Sequence, residues 1–259
     1  MTQTAIVNYH VHKPSRQAFE LDAGGIPGNL ISPELVSKKI TLRDDRTNDA
    51  KATFKADSVE FAARASSVKN IGGGTDWQPA YNKELTRLLK DKVDAKEVVI
   101  FDHTIRTDDP DADRKPARNV HSDYSSTGAK QRLVDILGTN LAADWSNGHY
   151  AFINIWRPLE ATINSAPLGF VMPQSVANED WILLDLIYPD RKGQILGLAA
   201  NPKHEWIYRS SMTPDDVVIF NIYDNRGQPA IAHSALDRVE NSEIKSIRKS
   251  IESRTLVRY

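Results

Sequence analysis

The stretch Arg118-Asn119-Val120-His121-Ser122-Asp123-Tyr124 decides how the rest of the chain is read. His121 and Asp123 lie two residues apart, so on an extended segment both side chains leave the same face. An imidazole and a carboxylate on one face can grip one metal ion, and a second His from elsewhere would complete a facial triad. Three ligands on one face leave the remaining positions free, which is what a non-haem Fe(II) oxygenase needs for cosubstrate and O2. A lone His-x-Asp is equally a hydrogen-bonded surface pair in a strand, so the surrounding chain has to carry the reading.

Composition removes several classes. The 259 residues include 33 basic and 34 acidic side chains, a net charge of -1, and no cysteine. Balanced charge points away from nucleic acid or an anionic membrane surface as partner. Without cysteine there are no disulfides, no thiol catalysis and no thiolate metal sites, and His, Asp and Glu are the strong ligands left. The opening MTQTAIVNYH has neither the charged flank nor the apolar run of a signal peptide, and no window approaches roughly eighteen consecutive apolar residues. The expectation is a cytoplasmic protein with a small-molecule partner; no feature bears on oligomeric state.

Periodicity then places the elements. Residues 4–12 and 38–44 alternate as strands, and the Gly/Pro-rich 23–29 reads as a turn or loop. Helical spacing covers 57–66 and 77–92, the second with Tyr81, Leu85, Leu88 and Leu89 as its apolar stripe. Gly72-Gly73-Gly74 lacks the Lys-Ser/Thr of a phosphate loop and reads as a connector. Residues 98–103 form a buried strand, 107–118 a charged Pro-punctuated loop, and 127–140 a helix. Short strands follow at 150–156, 168–172, 182–186, 194–199, 205–208, 217–223, 231–234 and 246–257. Such a run reads as a jelly-roll or barrel. The chain is then one mainly β domain: 1–117 supplies N-terminal strands and helices buttressing one sheet from outside, and 118–259 the core with the metal site.

The histidines sort unequally. His10, His12, His103, His149 and His204 read as structural or solvated, whereas His233 sits on the short apolar strand Ala230-Ile231-Ala232-His233-Ser234-Ala235. Farther on, Arg248, Ser250, Glu252 and Arg254 alternate onto one face. An Arg followed two residues later by Ser can hold a carboxylate with a fork and a hydroxyl, as a buried 2-oxoglutarate tail requires. The alternative is a charged edge strand with cross-strand ion pairs. Arg157 follows an apolar strand and precedes Pro158, so it projects toward a cavity or pairs with a carboxylate such as Asp185. Tyr124, Trp145, Tyr150, Trp181 and Tyr208 either pack the core or wall a pocket.

The ordered set Phe101-Asp102-His103-Thr104-Ile105-Arg106, Val120-His121-Ser122-Asp123-Tyr124, Asn154-Ile155-Trp156-Arg157-Pro158-Leu159 and Ala166-Pro167-Leu168 continues into Glu205-Trp206-Ile207-Tyr208, Tyr223-Asp224, His233-Ser234-Ala235 and Ser250-Ile251-Glu252-Ser253-Arg254. From about Val7 to the C-terminus it resembles the hydroxylase/desaturase family that includes fungal gibberellin desaturases and the cephamycin hydroxylase component. The resemblance implies a double-stranded β-helix (jelly-roll, cupin-like) and an Fe(II)- and 2-oxoglutarate-dependent dioxygenase of secondary metabolism. Carried over, His121, Asp123 and His233 would be the iron ligands. Arg248 or Arg254 would hold the 2-oxoglutarate carboxylate, with Ser250 beside Arg248 and with Asn154 and Arg157 lining the same pocket. Leu236 stands where an aromatic often follows His-Ser-Ala, which affects the substrate pocket rather than the metal site. Hydroxylation, desaturation and oxidative cyclisation are all open, with 2-oxoglutarate converted to succinate and CO2. Two other readings stay open: a cupin-like metal-binding module without turnover, and an iron oxygenase that does not use 2-oxoglutarate.

Overall fold

Two β-sheets of unequal size face each other in the computed structural model, which describes residues 3–20, 33–238 and 247–259. The loop expected at 23–29 and the start of the strand expected at 246 lie outside the described residues. In chain order the first strands are β1 (Gln3–His10), β2 (Gln17–Glu20), β3 (Leu35–Asp44), β4 (Val59–Ala63), β5 (Glu97–Thr107) and β6 (His121–Ser122). They are followed by β7 (Tyr150–Pro158), β8 (Leu168–Val171), β9 (Trp181–Ile187), β10 (Lys192–Leu198) and β11 (Trp206–Tyr208). The chain closes with β12 (Asp216–Asp224), β13 (Ala232–Ala235), β14 (Asp237–Arg238) and β15 (Lys249–Arg258). Among the described residues the larger sheet runs β14-β1-β3-β11-β8-β13-β6-β10-β9-β2 and the smaller β4-β12-β7-β15-β5.

Strand β7 shows why the small sheet sits where it does. Its sequence YAFINIWRP is buried along its whole length, because alternate residues serve two different cores. Phe152 and Trp156 point between the sheets, where they meet Phe61, Phe170, Val218, Phe220 and Leu256. Ile153 and Ile155 point outward and are covered by helix α2 (Gln78–Val93), whose stripe is Tyr81, Leu85, Leu88 and Leu89. That helix begins with a proline in its first turn and stops at Asp94 in the left-handed region, φ 58°. The buttressing expected from the stripe is what the helix does.

Local departures from the expected elements have physical reasons. Only Phe54–Asp57 (α1) is helical near the helix expected at 57–66, and 59–63 is strand β4. Val59 and Phe61 alternate into the inter-sheet core, and pairing with β12 (Val59 opposite Phe220, Ala63 opposite Asp216) overrides the helical spacing. The helix expected at 127–140 is two: α3 (Ser126–Leu137) and α4 (Thr139–Asn147), divided at Gly138 with φ 73°. Ser125 caps α3 by accepting from the Gly128 N–H, and a Cβ on Gly128 would come within 2.2 Å of the Gln194 carbonyl oxygen. The first turn of α3 therefore lies directly against β10. Strand β5 is longer than expected and half-buried rather than buried, because it is the edge of the small sheet.

Candidate metal centre

The triad is assembled by sheet register. β6 and β13 are neighbours, with His121 directly opposite His233 and their ring centroids 4.5 Å apart. Asp123 follows immediately after β6. The Nε2 atoms of His121 and His233 lie 3.4 and 3.8 Å from the same Asp123 Oδ1, and one ligand atom from each residue falls within 4.8 Å of the others. This approaches the spacing that one ion with bonds of about 2.1 Å requires. His121 Nδ1 is 2.8 Å from the Asn119 carbonyl oxygen. That oxygen only accepts, so the proton sits on Nδ1 and leaves the Nε2 lone pair for a metal.

Burial sets the charge states. His233 is packed against the rings of Phe220 and Phe170 at 5.0 and 6.2 Å, and its Nδ1 has no hydrogen bond of ordinary geometry. Desolvation, assisted by the neighbouring His121, pushes its pKa down to about 3, so the ring is neutral. Burial alone would raise Asp123, but Arg254 and the two imidazoles outweigh it and hold the carboxyl well below its ordinary value. Two imidazole nitrogens and one carboxylate oxygen on one face fit a divalent iron with open positions opposite.

The second oxygen of Asp123 is already occupied. Asp123 Oδ2 accepts from Asn154 Nδ2 at 2.8 Å and from Arg254 Nε at 3.2 Å, which leaves Oδ1 turned to the histidines. Register again places the partners: Arg254 on β15 stands opposite Asn154 on β7 and opposite Asp102 on β5. Arg254 also bonds Asp102 (2.6 Å), the Thr104 hydroxyl (2.9 Å) and Glu252 (2.7 Å). Burial disfavours its charge, but Glu252, Asp123 and Asp102 raise its pKa well above the ordinary value. Of the two arginines expected as alternatives for the cosubstrate carboxylate, the structure therefore commits Arg254 to three carboxylates. Asn154 likewise points at Asp123.

Arg248 is placed differently. It is buried, donates to Ser250 Oγ (3.2 Å) and to the Ala166 carbonyl, and stacks 5.0 Å over Trp156. No carboxylate among the described residues forms an ion pair with it. Burial, and then the neighbouring Arg106, push its pKa down to about 9. Arg248 ends a narrow hollow of about 20 Å³ that reaches His121 and His233 past Trp156 and Glu252. On the other side of His121 and Asp123 a cavity of about 450 Å³ opens outward, lined among others by Tyr124, Gln131, Arg132, Tyr188 and Gln194.

Arg157 corrects the expectation that it lines this pocket. As an odd-numbered residue of β7 it faces outward, with its guanidinium 5.7 Å over the Tyr81 ring and Nη1 3.3 Å from the Pro214 carbonyl oxygen. Asp185, considered as its partner, pairs instead with Arg16. The other histidines stand apart from the triad: His103 between Ser253 (2.9 Å) and Asn82 (2.7 Å), His149 on Asp224 (2.8 Å), and His204 on Tyr9 and Asp180. Trp145, Tyr150 and Tyr208 are core, Trp181 packs beside them, and only Tyr124 of the five reaches the outer cavity. Asp102, Thr104, Arg106 and Glu252 were not read as site residues. For the first three the signal was present in β5, where Asp102, Thr104 and Arg106 lie two residues apart and share one face.

Residues 7–258 match the family described as Oxidoreductase/YMDC permease-like domain. The chain belongs to that family. Its similar members include hydroxylase/desaturase efuI of Hormonema carpetanum, 29% identical over 85% of this chain and 83% of that protein. The alpha-ketoglutarate-dependent dioxygenase phiK of a fungal species is 27% identical over 98% of this chain and 95% of its own. Among solved structures, the iron and alpha-ketoglutarate-dependent endoperoxidase NvfI superposes with a TM-score of 0.87 at 21% identity, covering 99% of this chain and 98% of that one. The fold is the double-stranded β-helix that the ordered motifs implied. No helix among the described residues is long and apolar enough to cross a membrane.

Proposed function

We propose that this oxidoreductase is a non-haem Fe(II)- and 2-oxoglutarate-dependent oxygenase acting on a small-molecule metabolite, with His121, Asp123 and His233 as the iron ligands. The observation that carries the cosubstrate is Arg248: a buried guanidinium with no carboxylate partner among the described residues, lining the same hollow as His121 and His233. A guanidinium stays charged in a protein, and a buried charge without a counter-ion is costly, so the site calls for an anion. Arg248 and Ser250 take the far carboxylate of 2-oxoglutarate by a fork and a hydroxyl. Bound Fe(II) supplies O2 activation coupled to conversion of 2-oxoglutarate to succinate and CO2.

The chain's own residues do the rest. Asn154 and Arg254 fix Asp123 so that a single oxygen faces the ion. His121 is held in one tautomer by the Asn119 carbonyl. Phe170, Phe220 and Trp156 exclude water from the inner side of the centre. The metabolite enters through the outer cavity, and its orientation there selects hydroxylation, desaturation or ring closure. The balanced charge supports a cytoplasmic enzyme that engages neither nucleic acid nor membrane. Adding 2-oxoglutarate to the Fe(II)-loaded protein without oxygen should produce a weak visible band, and admitting air with substrate should release succinate. A protein that binds iron but shows neither would be a metal-binding module or an iron oxygenase that does not use 2-oxoglutarate.

A further inference from the structure

The hollow and the outer cavity share three lining residues, His121, Arg254 and Arg106. His121 belongs to the triad and Arg254 is saturated by carboxylates, which leaves Arg106 at the neck between the two spaces. Its side chain shares the inner face of β5 with Asp102 and Thr104, directly opposite Ser250, the hydroxyl that Arg248 holds. One of its N–H groups donates to the Lys115 carbonyl oxygen at 2.8 Å, and no carboxylate among the described residues pairs with it. A guanidinium has five such donors. It interacts electrostatically with Glu252, Arg254 and Asp123 and is the charge that acts most strongly on Arg248, and it lines the same hollow as Arg248, His121 and His233.

We propose that Arg106 is a second anion-binding residue of the cosubstrate hollow, taking the carboxylate at the keto-acid end of 2-oxoglutarate while Arg248 takes the far one. This rests on the oxygenase reading above. Charge matching supports it. Asp102, Asp123 and Glu252 are offset by Arg254 together with a divalent ion, which leaves Arg106 and Arg248 as two positive charges for the two carboxylates of the cosubstrate. Two arginines that repel each other across one hollow are an arrangement that an anion relieves. The hollow also has room for about one water as it stands, so the cosubstrate can enter only if a wall residue moves. Arg106, with its single anchor on the Lys115 carbonyl, is the wall residue facing the open cavity. Once it has closed on the bound keto acid, it separates that site from the metabolite.

Binding of two keto acids to the full chain loaded with Mn(II) tests this without turnover. The probes are 2-oxoglutarate and pyruvate, which lacks the far carboxylate, and binding is followed by calorimetric titration. Arg106→Gln should weaken both by about tenfold, the loss of one charge-assisted contact. Arg248→Gln should weaken 2-oxoglutarate at least as much and leave pyruvate within about twofold of wild type, since no contact to it is lost. Arg106→Lys, which keeps the charge, should fall between wild type and Arg106→Gln and provides the same comparison if the glutamine variant does not melt cooperatively. Unchanged affinity for both acids in the Arg106 variants overturns the proposal, as does a loss confined to 2-oxoglutarate, which would move Arg106 to the far carboxylate. If the wild-type Mn(II) protein binds neither acid, the oxygenase reading itself fails and this assignment with it.

Discussion

The two faces of strands β7 and β15 make opposite use of burial. On the inner face the buried Asn154 and Glu252 and the partly buried Arg254 are tied with Asp102 and Thr104 into one network around Asp123. On the outer face Ile153, Ile155, Ile251 and Val257 are sealed by the apolar stripe of α2. One backbone thus carries two kinds of interior, one residue apart. The outer face contributes apolar burial, which scales with area and tolerates inexact geometry. The inner face stakes its stability on complete hydrogen bonding, and it holds Asp123 in a defined orientation. The network is left incomplete at the Nε2 atoms of His121 and His233 and at Arg248, which has no carboxylate partner among the described residues.

Breaking the inner face should abolish activity without unfolding the chain. His121→Ala, Asp123→Ala and His233→Ala should each lose most of the bound metal and all measurable turnover while still melting cooperatively, whereas His103→Ala keeps its metal. Metal content and a melting curve on each variant decide this, and a ligand variant with normal iron and normal activity removes that residue from the triad. The outer face should behave the other way. Ile155→Ala should cost about 2–5 kcal/mol in denaturant unfolding, with the Michaelis constant for 2-oxoglutarate unchanged.

Smaller effects sharpen the contrast. Arg248→Lys keeps a charge but loses the fork, so that Michaelis constant should rise by about ten- to a hundredfold, for about 1.4–3 kcal/mol. Arg254→Lys should move it much less and instead weaken metal binding, because Arg254 acts through Asp123. The reverse pattern would exchange their roles. Acid should expose the apolar interiors next. Burial, and then His121, hold the buried His10 at about 4, so the folded state refuses a proton that the unfolded chain accepts near its ordinary value. Stability is therefore full above about pH 6.5, falls as the pH drops toward 4, and should be lower by about 2 kcal/mol at pH 5 than at pH 7. Unfolding curves of the metal-free protein at the two pH values measure it, and His10→Phe should remove this share of the difference while leaving that of His233, which burial holds at about 3. Least of all, Arg157→Lys should leave 2-oxoglutarate binding at its wild-type value, since its guanidinium lies on the outer face over Tyr81.

Much of the site was legible because its signals are short-range. A two-residue step in a strand determines a shared face, so His121 with Asp123 and Arg248 with Ser250 could be paired from spacing alone. Helix α2 was equally readable from its stripe. Arg157 departs from the expectation because alternation along β7 turns Asn154 and Arg157 to opposite faces, a parity that a linear motif does not encode. Phe101 and Asp102 show the converse: the register between β5 and β15 shifts at this point, so Asp102 pairs with Arg254 while Ile100 pairs with Thr255. A bulge of this kind depends on the partner strand, and no local pattern in β5 reports it.

By itself the sequence determined the donor types, the absence of thiolate chemistry, the strand-rich C-terminal half, and which residues share a face within one strand. Those follow from composition and from the two-residue repeat of extended chain. The tertiary structure alone decided that His233 stands across from His121, that Arg254 bonds Asp123 while Arg248 has no carboxylate partner among the described residues, and that Arg106 lines both the hollow and the outer cavity. Each of these is a contact between segments far apart in the chain, set by strand order and register across two sheets. Hydrogen-bond pairing between distant strands, and not the pattern within any one of them, brings such residues together.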